Sequence, residues 1–372
     1  MNRAERLAAP AYPFHRFSGS HLEIGRQHGE ECRDLIARHY DLAIERLAAQ
    51  SGLATDRALD RALDHRGHVQ RHAPYLDQEI VGLADGARLS LGQAYALQLR
   101  AELNRTYGEQ ADDECTTFAA LSTATADGEP LAGQNADLPS RYRELGVVVQ
   151  IAADDRPEVL MLTPAGQVSY IGINDRGLGV FGNFLACDGW RLGFPRYLLT
   201  RLLLAHGSLP DALAAFQGVP RASSRNLMVV GGSDRAVDIE TTPTRAAMLA
   251  PEDGLLAHAN HYVADDLAGE ERAEPARLEN SQVRLERIRQ LLAERHGKLD
   301  ARSMAEVFRD RETLPHALSV LPEDGAGSDT ITFGSVIAEP RKGRMWVSSG
   351  PPSESEYRCF SFAGGQEVQA RL

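Results

Sequence analysis

A cysteine heads an apolar, threonine-rich run, Cys115-Thr116-Thr117-Phe118-Ala119-Ala120-Leu121, directly after the acidic Asp112-Asp113-Glu114. Gly133-Gln134-Asn135-Ala136-Asp137 follows within a few turns of chain. A cysteine on a strand is most often a small buried hydrophobe. It becomes a nucleophile only as a thiolate or beside a base. The nearest histidines are far away in sequence, so a Cys-His pair has to come from folding. Another base is available on the same residue. If the Glu114–Cys115 bond is cut, Cys115 carries a free α-amine with an unperturbed pKa of about 7.7–8.0, suited to general-base work near neutrality. The acidic triplet counts against this chemistry, because negative charge beside the thiol disfavours the thiolate.

Other polar residues are weaker candidates. Asn135 has a structural reading, holding a strand-to-loop turn through its amide. His258 and His261 flank Asn260; without a third ligand the pair is packing or support rather than a zinc site. His65, His68 and His72 lie near one helical face, but Arg66, Gly67 and Arg71 between them favour a solvated surface. No cofactor and no metal are expected. Gly177-Leu178-Gly179 lacks the helix and acidic partner that a dinucleotide loop requires.

The elements that must position these groups change in texture at Cys115. Upstream, apolar residues recur at helical period from His21 to Gln50. Further helices are expected over Thr55–His72, with Thr55 as N-cap, and in the stretch 75–103, where Ser90 caps the second of two. Downstream come short strands: the Cys115 run, residues 131–136, 146–152, 159–164 and 168–173, read as one antiparallel meander with tight turns at Asp127-Gly128 and Asn174–Gly177. Helices return over 194–207 and 209–218, strands between 226 and 260, a long charged helix near 276–296, and a shorter one over 301–310. Strands near 329–339, 344–349 and 357–362 close the chain. Blocks of strands and blocks of helices argue for α+β layering.

The chain of 372 residues is 43% hydrophobic, enough for a sizeable core. Its net charge of -12 excludes nucleic acid or an anionic membrane as the main partner. No stretch of signal-peptide or membrane-spanning length is apolar throughout. The four cysteines, Cys32, Cys115, Cys187 and Cys359, are scattered singly, so a zinc ribbon, a redox dithiol or a disulfide scaffold is not expected, and a cytoplasmic location is.

Four stretches together resemble the acyltransferase and amide-hydrolase family typified by the fungal isopenicillin N acyltransferase, the C45-type peptidases, within the N-terminal-nucleophile hydrolases. They are Gly19–Ile36 with its EIG-x-x-HG pattern, Cys115–Thr117 with Gly133–Asp137, the turn from Gly172 to Asn183, and His258-Ala259-Asn260-His261. They occur in the family's order and span most of the chain.

The resemblance implies a four-layer αββα sandwich of antiparallel sheets with a helical N-terminal segment. Residues 1–114 would form the N-terminal chain after self-cleavage and 115–372 the catalytic region, together one compact domain. It implies autocatalytic cleavage between Glu114 and Cys115, then acyl transfer or hydrolysis on a small amide or thioester through a Cys115 acyl-enzyme. The partners are that substrate and the cleaved N-terminal chain. By the same resemblance the Asn260 side chain and the Leu138 N–H stabilise the oxyanion, Asp137 orients the amine, and Asn183 and Asn135 border the substrate. Two departures stand out. Glu114 replaces the frequent glycine before the nucleophile. An arginine expected before the late strand is absent, with Asp329 there instead, which points to a substrate offering an amine. Two other readings stay open: a papain-like enzyme pairing Cys115 with His258 or His261, and a binding protein on the same scaffold.

Overall fold

The computed structural model describes residues 11–107, 114–322, 324, 329–363 and 368–372. Asp112 and Asp113 lie outside these, as does Gly325–Ser328.

Two sheets pack face to face. The first runs in the order β1 (Phe14–Gly19), β4 (Gly146–Ala153), β5 (Val159–Pro164), β6 (Ile171–Asn174), β7 (Gly179–Phe181), β8 (Arg225–Gly231), β9 (Arg235–Thr241), β10 (Ala246–Leu249). The second runs β11 (Leu255–His258), β2 (Glu114–Ala120), β3 (Leu131–Pro139), β12 (Thr330–Glu339), β13 (Arg344–Ser348), β14 (Tyr357–Ser361), β15 (Val368–Arg371). Among the described strands of the two sheets, all pairings are antiparallel except β1 with β4, which is parallel. The expected single meander is therefore split. The strand that holds Gln134, Asn135 and Asp137 belongs to the second sheet, and a 3-10 turn over Ser140–Leu145 carries the chain across to β4.

Among the described residues, nine helices lie outside the first sheet, from α1 (His21–Glu31), α2 (Arg33–Ser51), α3 (Thr55–Asp64) and α4 (Arg66–His72) through α5 (Pro74–Ala87), α6 (Leu91–Gln98) and α7 (Arg100–Tyr107) to α8 (Leu198–Leu204) and α9 (Leu209–Gln217). Two helices, α10 (Pro275–Glu294) and α11 (Ala301–Phe308), cover the second sheet. A third apolar layer, with Leu138, Val148, Ile171, Met228 and Phe333, lies between the sheets. This is the αββα sandwich.

Local chemistry explains the helix boundaries. Ser20 with Glu23 and Ser90 with Gln93 form capping boxes. The stretch expected as one helix from Thr55 is two, broken at His65, and Ala54 rather than Thr55 stands at the cap with no side-chain bond. The EIG-x-x-HG motif is a packing device. A Cβ at Gly25 would lie 2.0 Å from the Glu79 carbonyl oxygen, and one at Gly86 2.2 Å from that of Arg26. Only glycines let the backbones of α1 and α5 touch. Strand β1, ahead of these helices, was not legible as a strand because its one pairing among the described residues is with β4, more than a hundred residues on.

Candidate active site

Cys115 is the second residue of β2 and is buried. Because side chains alternate along a strand, Cys115 and Ala119 face the inter-sheet layer, whereas Phe118 and Ala120 face the outer helices. The main chain at Cys115 is held on both sides. Its N–H donates to Asn260 Oδ1 at 2.7 Å. Its carbonyl accepts from Arg284 Nη1 at 2.6 Å. The same guanidinium reaches Thr116 Oγ1 at 2.8 Å, Asn260 Oδ1 at 3.0 Å and Asn280 Oδ1 at 2.7 Å, and it lies 4.0 Å from Glu114. Arg284 is 1% exposed, on the face of α10 that buries Leu285 and Ile288. The local field at Cys115 is thus not set by Glu114 alone; a buried cation stands against it.

Asp137 lies on β3 directly opposite Glu114, and Asn135 opposite Thr116. Asp137 Oδ1 accepts from Thr332 Oγ1 at 2.6 Å, while Oδ2 is buried without a hydrogen-bond partner among the described residues. Burial pushes its carboxyl up to about 8, with Glu114 adding to the rise and Arg284 and Thr332 opposing it. A buried carboxylate oxygen without a donor is costly, and Asp137 escapes by holding its proton.

Asn260 has its backbone N–H on Ser281 Oγ at 2.6 Å and its amide Nδ2 on the Phe184 carbonyl at 3.0 Å. One of the two Nδ2 hydrogens serves that bond, which leaves the second for another acceptor. Asn183 donates to Thr117 Oγ1 at 2.9 Å and to Asn226 Oδ1 at 3.2 Å; its own Oδ1 has no partner among the described residues. Leu138 continues β3 one residue beyond the Glu114–Asp137 pair. Gln134 clips the two sheets, exchanging bonds of 2.9 Å with both the N–H and the carbonyl of Gly182.

Cys115, Asp137, Asn183 and Asn260 are thus brought into one neighbourhood. Two expected site residues are engaged otherwise. Asn135 points its amide at the Phe308 and Leu318 carbonyls, at 3.0 and 2.8 Å, and ties down the end of α11 and the loop after it. Asp329 is exposed, with its carbonyl accepting from Ser140 N at 2.7 Å and its carboxylate from the Ser140 hydroxyl.

Neither candidate histidine is placed as a thiol base. His258 Nε2 is on Glu240 at 2.7 Å and Nδ1 on the Ala259 carbonyl at 2.8 Å, so both ring nitrogens are taken. His261 meets Ser281 Oγ at 2.7 Å, and burial lowers its pKa to about 4. Among the described residues no group of three or more His, Cys, Asp or Glu is placed to hold a metal. No helix there is long and apolar enough to cross a membrane.

Two arginines of this neighbourhood gave no motif signal. Arg284 comes from α10. Arg225, at the start of β8, is 2% exposed; burial and Arg196 lower its pKa, against Tyr197, Tyr170 and Cys115. A signal for Arg284 existed: Ser281, Arg284, Leu285, Ile288 and Leu292 share one stripe, and a charge in a core stripe needs a partner.

Residues 123–354 match the family described as Acyl-coenzyme A:6-aminopenicillanic acid acyl-transferase. The 40 kDa form of the acyl-coenzyme A:6-aminopenicillanic-acid-acyltransferase of Emericella nidulans is 26% identical over 323 residues, 86% of this chain and 87% of that protein. Among solved structures, a conjugated bile acid hydrolase from Clostridium perfringens superposes with TM-score 0.46 and 13% identity over 69% of this chain and 92% of its own. A penicillin V acylase from Agrobacterium tumefaciens gives 0.42 and 10%, over 63% and 82%. With a family match that spans more than half of its length, the chain belongs to the acyl-coenzyme A:6-aminopenicillanic acid acyl-transferase family, and its class is that of N-acyltransferases and amide hydrolases.

Proposed function

We propose that the protein is a self-processing cysteine amidohydrolase or N-acyltransferase that acts on a small amide or thioester. The observation that carries this reading is Cys115, second in β2, its main chain clamped by Asn260 and Arg284, next to Glu114, which faces Asp137, whose Oδ2 is buried and unpartnered among the described residues. That oxygen is suited to an ammonium, and cleavage before Cys115 creates one nearby.

In the first reaction the Cys115 thiol adds to the Glu114 carbonyl. The C–N bond breaks, the thiol proton passes to the freed amine, and a thioester joins Glu114 to Sγ. Water then hydrolyses this thioester to the Glu114 carboxylate and the Cys115 thiol. In the second reaction the new α-amine takes the thiol proton as Sγ attacks the substrate carbonyl. The leaving amine, or thiol, departs with that proton, and an acyl thioester remains. Water or an acceptor amine resolves it. Charge on the carbonyl oxygen is met by the second Asn260 Nδ2 hydrogen and the Leu138 N–H. Asp137 orients the α-amine, and Asn183 holds the strand through Thr117. The 1–114 chain stays bound to the 115–372 chain. The enzyme works in the cytoplasm, in keeping with four free cysteines, and its negative charge speaks against nucleic acid or membrane partners.

The position of Cys115 on a strand, with His258 committed to Glu240, supports this over a papain-like pair. Denaturing mass spectrometry tests it. Two fragments meeting at residue 115, with an acyl adduct on Cys115 after reaction with substrate, are expected. A single intact chain in an active preparation would overturn the reading.

A further inference from the structure

Along the ladder that joins β11 to β2, His258 stands opposite Thr117. Gly254 O takes Leu121 N–H at 2.8 Å, so residues 254, 256 and 258 make the hydrogen-bonded rungs. Two residues further on, the next such rung would join the main chains of Asn260 and Cys115. The chain does something else there. Cys115 N–H goes to the side-chain oxygen of Asn260, at 2.7 Å. The backbone beyond His258 is turned to other partners. The Ala259 carbonyl accepts from His258 Nδ1 at 2.8 Å, Asn260 N–H meets Ser281 at 2.6 Å, and the N–H groups of Val263 and Ala264 go to Glu240 at 2.6 and 3.1 Å.

Glu240 also accepts from His258 Nε2 at 2.7 Å, so it fastens both ends of the loop that carries Asn260. It comes from the other sheet. On β9, Glu240 alternates with Asp238 and Ala236, and Ala236 packs on the inter-sheet layer. On β11, His258 alternates with Leu256, which belongs to that layer. The two side chains meet between the sheets, and both are fully buried. The acceptors around the ring fix its charge. A carboxylate and a carbonyl can only accept, so each ring nitrogen brings a hydrogen and His258 is an imidazolium. Burial opposes that charge, but Asp238, 3.9 Å away, and Glu240 outweigh it and hold the ring's pKa above its usual value.

We propose that His258 and Glu240 are positioning residues for Asn260: they end β11 short of Cys115, so that an amide side chain rather than main chain meets Cys115 N–H. This rests on the self-processing reading above, in which Asn260 Nδ2 meets the oxyanion. A main-chain rung at this place would give Cys115 N–H its acceptor, but its only donor would be spent on the Cys115 carbonyl. The amide supplies the same acceptor and keeps a hydrogen for the reacting carbonyl, while Arg284 serves the Cys115 carbonyl instead. A buried ion pair adds little to net stability. This one sets the path of the chain through the site.

The test is a double-mutant cycle on the first-order rate of scission before Cys115, read by denaturing gel on the full chain made by cell-free translation. Glu240→Gln should slow scission about 10-fold, the loss of a charged acceptor. In Asn260→Ala, itself slow, the same change should alter the rate by less than about 2-fold, because no side chain is left to position. His258→Gln keeps a donor toward Glu240 but none for Ala259; it should behave likewise in both backgrounds, and it carries the cycle if Glu240→Gln does not fold. Equal slowing in both backgrounds overturns the inference and leaves the pair a support of the fold at large. So does an unchanged rate in Glu240→Gln. A second readout is the ring itself. In the 15N-histidine-labelled Cys115→Ala chain, with the signal assigned through His258→Gln, both ring nitrogens of His258 should carry hydrogen at neutral pH; one protonated nitrogen overturns the inference. A parent chain that stays intact, or a normal rate in Asn260→Ala alone, defeats the underlying reading and this inference with it, and is told apart because it appears with Glu240 and His258 untouched.

Discussion

Arg284, on a helix outside the second sheet, donates to the carbonyl of Cys115 across 169 residues of chain. The same guanidinium holds Thr116, Asn260 and Asn280. One side chain therefore sets where Cys115 sits and what charge it feels.

Replacing Arg284 with Met leaves these acceptors short of a donor in a buried site. A loss of about 3 kcal/mol in unfolding free energy is expected, together with slower cleavage before Cys115. Arg284→Lys should recover little, because an ammonium lacks the planar fork. Urea titration of the uncleaved chain measures the first effect. A Met variant as stable as the parent would remove Arg284 from this role.

Asp137 makes the uncleaved chain pH-sensitive. Its folded pKa of about 8 lies above the unfolded value of about 3.9. The unfolded carboxyl gives up its proton first as pH rises, so stability from this group is full below about pH 4 and is lost on the way to about pH 8. Melting temperature measured against pH in Cys115→Ala should therefore fall across that window, and adding Asp137→Asn should flatten the fall. A slope unchanged by Asp137→Asn would show that the titrating group is elsewhere.

Glu114 faces Asp137 across the strand pair and raises its pKa. Glu114→Gln should speed cleavage severalfold by removing negative charge from beside the thiol. Band densities over time on a denaturing gel give the rate, and a slower variant would mean that the carboxylate assists.

Cys115→Ala should stop cleavage and turnover together. Asn260→Ala should lower turnover about 10²–10³-fold, the usual loss for an oxyanion donor. Because Asn260 also holds Cys115 N–H, the variant's cleavage rate should fall as well. Cleavage in purified Cys115→Ala would point to an outside protease.

The elements with strong local signals were legible. Ser90 capped its helix as expected, and the Cys115 run formed a strand, because caps and β-branched apolar runs act within a few residues. What depended on distant partners was not. Strand β1 exists through β4, β3 changed sheets, and β15, among the described residues, pairs with β14 alone. In the site, Cys115, Asp137, Asn183 and Asn260 announced themselves through clustered motifs. Arg284 did not, since it meets Cys115 only after folding. Asn135 lay within the same motif as Asp137 but points to the opposite work, the support of two carbonyls.

The parallel pairing of β1 with β4 joins Phe14–Gly19 to Val148–Ala153 rung by rung, and Tyr12 hydrogen-bonds through its hydroxyl to the Phe333 carbonyl at 2.5 Å. Scission at residue 115 would therefore turn one folding chain into two interlocked ones. Unfolding then becomes dissociation, its reversal second order in fragments, and dilution alone lowers the midpoint of denaturation. The uncut chain has no such dependence, so scission there would trade easy refolding for a free Cys115 amine.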